Sequence, residues 1–192
     1  MARVAVHLAA PDDASAIARI QRDTWRFAYQ EVLDQAALEA LDSGDVEREW
    51  REAIGHPETD VFVATEGGHT VGFSVSGPAP EEELAGPRGE LPEDSVHIGL
   101  IATALVEPRW QRRGHGGRLI AAAARALRSR GANRGMTWVA ESDSATLSFY
   151  RDIGWHPDGT VRTLDTGGVT LREMRLFGTL ELRVTEPAHG AS

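Results

Sequence analysis

The chain has 192 residues, no cysteine, 41% hydrophobic and 26% charged residues and a formal net charge of −9. That length suits one domain with a sizeable core, in the composition range of globular proteins. The lack of cysteine excludes disulfides, cysteine-ligated zinc and a cysteine acyl-enzyme, and the negative balance argues against a surface that tracks nucleic-acid phosphates.

Residues 3–8 alternate and predict a first strand. The opening ARVAVHLAA is too short and too weakly basic for a signal peptide, and Pro11-Asp12-Asp13 follows at once. Asp12 or Asp13 then caps a helix. On it Ala14, Ile17, Ile20, Thr24 and Ala28 recur at helical spacing, giving one buried stripe. Residues 34–42 and 45–54 predict further helix, broken at Ser43-Gly44. Trp25, Phe27, Tyr29 and Trp50 fall in this part of the chain; the first three suggest an aromatic-lined pocket, although aromatic residues on helices mostly serve the core. Residues 60–65 and 70–76 predict strands joined by a hairpin at Gly67-Gly68. Residues 77–94, rich in Pro, Gly and Glu, read as a long loop. No apolar run approaches the roughly 18 residues of a membrane span.

The most informative segment is 105–119. A strand over 95–106 ends at Pro108, a basic glycine-rich turn follows, and the turn opens into an Ala-rich helix starting near Arg118. Strand, glycine turn and helix in that order build a phosphate cradle from backbone N–H groups at a helix N-terminus. No Gly-Lys-Ser/Thr ending is present, so a P-loop is excluded. Glycines at 114, 116 and 117 do not fit G-x-G-x-x-G, which excludes the dinucleotide fingerprint. The helix runs to about Arg130 with Leu119, Ile120, Ala123 and Leu127 inward, and Gly131 stops it. Residues 136–140 predict a strand and 144–152 a short helix ended by Gly154. A final hairpin over 161–164 and 169–176 turns at Gly167-Gly168. Pattern is lost from about 179, so the expected organisation is one domain over 1–178 with a tail over 179–192. Neither a nucleophile elbow (Gly72 to Gly77 carries Ser76 where glycine is needed) nor metal-ligand spacing among the seven histidines is present.

Gln111, Gly114 and Gly116 fit the pattern Q/R-x-x-G-x-G/A, preceded by Leu105-Val106-Glu107-Pro108. Further on, Phe149-Tyr150-Arg151-Asp152-Ile153-Gly154-Trp155 fits F-Y-x-x-x-G-F with Trp in the last place. With these two elements in order the chain resembles the GNAT family of acyl-CoA-dependent N-acyltransferases, closely over 95–160 and more loosely over 3–177. The resemblance implies an α/β fold: a central, mostly antiparallel twisted sheet with helices on both faces. It also implies a V-shaped gap between the 95–106 and 136–140 strands, in which the pantetheine arm of acetyl-CoA lies as a pseudo-strand. The implied reaction is acetyl transfer to a primary amine, by direct attack in a ternary complex since no cysteine is available. A cationic acceptor suits the net charge. A cytoplasmic location and a homodimer are compatible with this picture, and no membrane or nucleic-acid partner is expected.

The resemblance also implies roles. Backbone amides of Arg112, Arg113, Gly114, His115, Gly116 and Gly117 would hold the diphosphate, with Arg112, Arg113 and Arg118 adding charge-assisted contacts and the His115 ring N–H either touching the cofactor or exposed. Backbone N–H groups of Leu105 and Val106 would face the oxyanion. Tyr150 would protonate the leaving thiolate, its unperturbed pKa being about 10. The positions where relatives carry a base, Leu100, Ile101 and Ala102, cannot titrate; Glu141 ranks first as replacement and His97 second, with Glu107 structural. Asp143 stands where the family often has Asn against the pantetheine arm, and doubles as a helix N-cap. A non-catalytic acyl-CoA-binding module is the rival class. A toxin acting on aminoacyl-tRNA is disfavoured by the charge.

Overall fold

The alternating apolar segments become strands β1 (Val4–Leu8), β2 (Asp60–Glu66), β3 (His69–Pro78), β4 (Ile98–Val106), β5 (Arg134–Ala140), β6 (His156–Asp165) and β7 (Thr170–Thr179). The structure is a computed structural model that describes residues 3–29, 45–86, 88–165 and 170–182. Among these residues one seven-stranded sheet forms in the order β1-β2-β3-β4-β5-β7-β6. All neighbours are antiparallel except β4 and β5, which run parallel. The expected helix over 34–42, its break at Ser43-Gly44, the turn at Gly167-Gly168 and the side chains of Ala28 and Tyr29 lie outside what is described.

Helices α1 (Ala14–Tyr29) and α2 (Asp45–Gly55) cover one face, and α3 (His115–Ser129) and α4 (Ser144–Asp152) the other. Strand β2 shows why. Val61 and Val63 pack with Ile17 and Ile20 of α1, whereas Ala64 and Phe62 pack with Leu119 of α3, and successive strand residues point to opposite faces. The α1 stripe is as expected, with Ala14, Ile17 and Ile20 fully buried. Trp50 belongs to the core, edge-on to Phe73 at 5.0 Å and donating from Nε1 to Gln21. Trp25 and Phe27 are exposed.

Several boundaries differ from expectation. Asp12 and Asp13 lie in a 3₁₀ turn ahead of α1, where the Asp13 carboxylate caps the Ala10 N–H at 2.9 Å. The packed domain continues past 178: Leu180 is buried and Leu182 packs beside it in the core under α3. The 77–94 loop is pinned. It contains one helical turn, Glu81–Leu84, whose Leu84 is buried against Ile98 and Met136. Buried Arg175 donates from Nη1 to the carbonyls of Glu83, Leu84 and Ala85 at 3.0, 2.7 and 3.1 Å, a cation on the open carbonyls of a helix end. Its other nitrogens hold Asp158. Burial alone would raise the Asp158 carboxyl, but the hydrogen bonds from Arg175 and Thr160 bring it below its ordinary value.

Candidate active site

The parallel pair β4–β5 is joined only at Ile98↔Arg134, Gly99↔Gly135 and Leu100↔Met136, although β4 continues to Val106 and β5 to Ala140. Beyond that point the strands fork. At the apex the Thr137 hydroxyl donates to the Ile101 carbonyl at 2.8 Å, a side chain standing where a ladder N–H would otherwise stand. The β3–β4 register shifts between Val75 and Ser76, so Ser76 pairs with Ile101, Val75 with Thr103, and Ala102 is the extra residue. A bulge of this kind bends its strand away from the ladder.

The β4 edge facing the fork carries unpaired backbone groups. The Glu107 N–H bonds to Val71 across β3 at 2.9 Å. Backbone groups alternate in direction along a strand, so Leu105 also turns towards β3, opposite Phe73, and Val106 and Ala104 turn towards the gap. The Val106 carbonyl there accepts from Gln111 Nε2 at 3.2 Å. Of the two expected oxyanion donors, Val106 therefore presents its N–H to the fork. The Leu105 amide belongs to the β3–β4 ladder, which corrects its assignment.

Next to this edge, α3 starts at His115, three residues earlier than expected, because Gly114 takes the left-handed conformation (φ 81°) that ends the turn and opens the helix. Arg112 is also left-handed, at φ 62°, unusual for a residue with a side chain. The N–H groups of residues 112–117 have no acceptor among the described residues, and Arg118 is the first whose N–H is bonded, to Gly114 at 3.2 Å. A Cβ built on Gly116 would meet no protein atom within 4 Å. Neither backbone strain nor packing demands glycine there. Arg118 reaches the Arg113 carbonyl at 3.0 Å, and the Arg112 side chain has no partner among the described residues. Arg113 is committed elsewhere, bonded to Glu66 at 3.1 Å and lying over the Trp110 ring at 4.8 Å. The His115 ring is not exposed. It is fully buried, with Nε2 2.8 Å from Glu66 and the ring steeply inclined to that of Trp110, centroids 6.5 Å apart.

Tyr150 is buried on α4 between Phe149 and Trp155, ring centroids 5.4 and 5.2 Å away. Burial pushes its phenol up to about 12, against a smaller opposing effect of the Thr137 hydroxyl beside it. Thr137 thus links the fork apex to Tyr150, a role with no signal in the linear chain. Asp143 caps α4, accepting from the Thr146 N–H at 3.0 Å and the Thr146 hydroxyl at 2.7 Å. Both of its oxygens are thereby engaged. Glu141 sits at the end of β5, exposed and ion-paired with Arg172 (Nε to Oε2 3.0 Å), and its N–H pairs with Arg172 on the β7 side. His97 precedes β4, its Nδ1 3.3 Å from the Gly131 carbonyl. Parallel strands start together, so His97 lies at the joined end of the fork, outside the gap. Its assignment as base is corrected accordingly. Buried Glu107 takes Arg19 and Arg109 at 3.1 and 2.6 Å, as its structural role predicts. On the opposite face Trp138, one residue past Thr137, donates from Nε1 to Glu83 and lies under Arg162 at 4.3 Å. Glu83 was hidden in a run of three glutamates that reads as plain loop.

Comparison with known proteins follows the same outline. The model of the Acetyltransferase (GNAT) family matches residues 15–155. The chain is 31% identical to the Uncharacterized N-acetyltransferase YuaI of Bacillus subtilis, over 90% of this chain and 91% of that one. It is 27% identical to the Probable N-acetyltransferase Rv2775 of Mycobacterium tuberculosis, over 83% and 84%. Its fold matches the PaiA N-acetyltransferase of Thermoplasma acidophilum, crystallised in complex with coenzyme A, with a TM-score of 0.70 at 12% identity, over 92% of this chain and 99% of that one. The chain belongs to the GNAT acetyltransferase family.

Proposed function

We propose that this acyltransferase moves an acetyl group from acetyl-CoA to a primary amine by direct attack in a ternary complex. The observation that carries this is one juxtaposition: the unpaired amides of 112–117, with Gly116 bare before them, adjoin the open β4 edge, and buried Tyr150 reaches the same fork through Thr137. Acetyl-CoA supplies the activated thioester and a diphosphate whose charge suits the cradle. The 112–117 amides hold that diphosphate, Arg112 and Arg118 add positive charge, and the Ala104–Val106 edge takes the pantetheine arm as an added strand. The Val106 N–H donates to the thioester oxygen as it gains charge. Tyr150 gives its proton to the departing thiolate. The amine loses its own proton to solvent, because positions 100–102 cannot titrate, Glu141 is tied to Arg172 and His97 stands at the joined end. The acceptor enters from the α1–α2 face, where Trp25 and Phe27 are exposed and Trp138 borders the fork. A chain without cysteine suits a reducing cytoplasm, and among the described residues no helix is long and apolar enough to cross a membrane.

The apolar 100–102 stretch is what favours a non-catalytic acyl-CoA-binding module instead. Thiol release from acetyl-CoA with a panel of amines, beside calorimetric titration of CoA, separates the two. Turnover establishes the enzyme and its acceptor class, and binding without turnover favours the module. The acid is tested by Tyr150→Phe, for which kcat should fall roughly 100-fold with the KM for acetyl-CoA little changed. The neutral phenol is the active form, and it ionises only as pH rises through about 12. Between pH 7 and 10 wild-type kcat should therefore show no decline from Tyr150. A Phe variant with full kcat, or an alkaline limb near pH 10 that vanishes in it, contradicts this assignment.

A further inference from the structure

The residues on either side of Gly114 are held by one carboxylate. Glu66 accepts from Arg113 Nη1 at 3.1 Å and from His115 Nε2 at 2.8 Å. A carboxylate can only accept, so the His115 proton sits on Nε2. Arg113 belongs to the turn, His115 is the first residue of α3, and Gly114 between them has φ 81°. The His115 side chain has no exposed surface and that of Glu66 only 15%. Glu66 itself is fixed, since it closes β2 and pairs with Val4 on one side and His69 on the other. A rigid strand end thus grips the turn at two points, next to a non-glycine residue (Arg112) in a sparsely populated conformation that only its surroundings can maintain.

We propose that Glu66 is a positioning residue for the coenzyme: through Arg113 and His115 it sets the turn so that the 112–117 amides converge on the diphosphate before it arrives. This rests on the assignment of those amides to the diphosphate. A carboxylate near an anion site would otherwise be repulsive. On charge alone its removal should tighten coenzyme binding, whereas a positioning role demands that binding weaken, because the amides must then be ordered at the moment of association.

The test uses Glu66→Gln, which keeps shape, and His115→Asn, which breaks the grip from the helix side. CoA affinity is read by calorimetry. The preference for acetyl-CoA over S-acetylpantetheine, which lacks the diphosphate, is read as a ratio of kcat/KM values. Both variants should bind CoA about 10-fold more weakly, and the donor preference should fall by a similar factor. Unchanged or tighter CoA binding overturns the proposal. So does an equal loss with both donors, which marks general damage to the fold. A wild-type protein that fails to bind CoA overturns the anchor assignment itself, and the proposal with it.

Discussion

Gly116→Val should leave the fold as stable as before and remove coenzyme binding. The two halves of that result come from different features of one position. Gly116 is the second residue of α3, its φ is outside the left-handed region and a Cβ there touches nothing. In such a place glycine is a poor helix former, about 1 kcal/mol worse than alanine, so a side chain costs the fold nothing and the melting temperature holds or rises. Yet the valine occupies the space that the 112–117 amides face. Hydrogen bonds to a charged group contribute about 1.5–3 kcal/mol each. Displacing an anion from even two of them amounts to roughly 3–6 kcal/mol, at least a 100-fold rise in Kd. Gly114 would be a poorer probe. Its left-handed backbone makes any substitution strain the turn itself, and lost binding could not be told from lost structure. Calorimetric titration of CoA and a thermal melt on Gly116→Val decide the matter. Wild-type affinity in a normally folded variant means that the cradle is not where the coenzyme sits.

How much of this was legible in the chain follows from how far each feature reaches. The strand, glycine turn and helix of 105–119 were legible because they are local. So were the hairpin at Gly67-Gly68, the α1 stripe and the Asp143 cap, each set by residues a few positions apart. α3 starts ahead of Arg118: apolar periodicity begins only at Leu119, whereas the helix is opened by the backbone of Gly114. Chain distance from β4 does not say which end of a fork a residue occupies. His97 is close to β4 in sequence and at its joined end in space. Leu105 and Val106 are adjacent yet face opposite edges, which only the register with β3 reveals. Glu66, Glu83, Thr137 and Arg175 act across 36 to 92 residues of sequence. Each looks ordinary in its own neighbourhood.

Trp155→Ala should be the most destabilising single change near the site, at about 3–5 kcal/mol. Trp155 has no exposed surface, its Nε1 donates to the Thr179 carbonyl at 3.0 Å and its N–H to the Tyr150 carbonyl at 2.8 Å. The ring lies on a bare patch of sheet. Gly135 of β5 and Gly178 of β7 are directly paired, and a Cβ on either would come within 2.3 and 2.0 Å of the indole. The cross-strand glycines make a slot that fits the ring and nothing bulkier, so removing the ring leaves a void that the flat sheet cannot close. For a chain of this size each kcal/mol corresponds to roughly 2–4 °C, and the melt should drop by about 10 °C. Gly178→Ala attacks the same contact from below, pushing the indole out of its slot at a cost of about 1–3 kcal/mol. Combined, the two should cost less than their sum, because the new methyl fills part of the space the ring vacates. Tyr150 leans on Trp155 with ring centroids 5.2 Å apart. Trp155→Ala assayed well below its melting point should therefore also lose kcat while keeping its affinity for CoA, since the 112–117 turn does not touch the indole. Strictly additive losses, or a melt within a degree of wild type for Trp155→Ala, would mean that the ring is not what supports this corner of the fork.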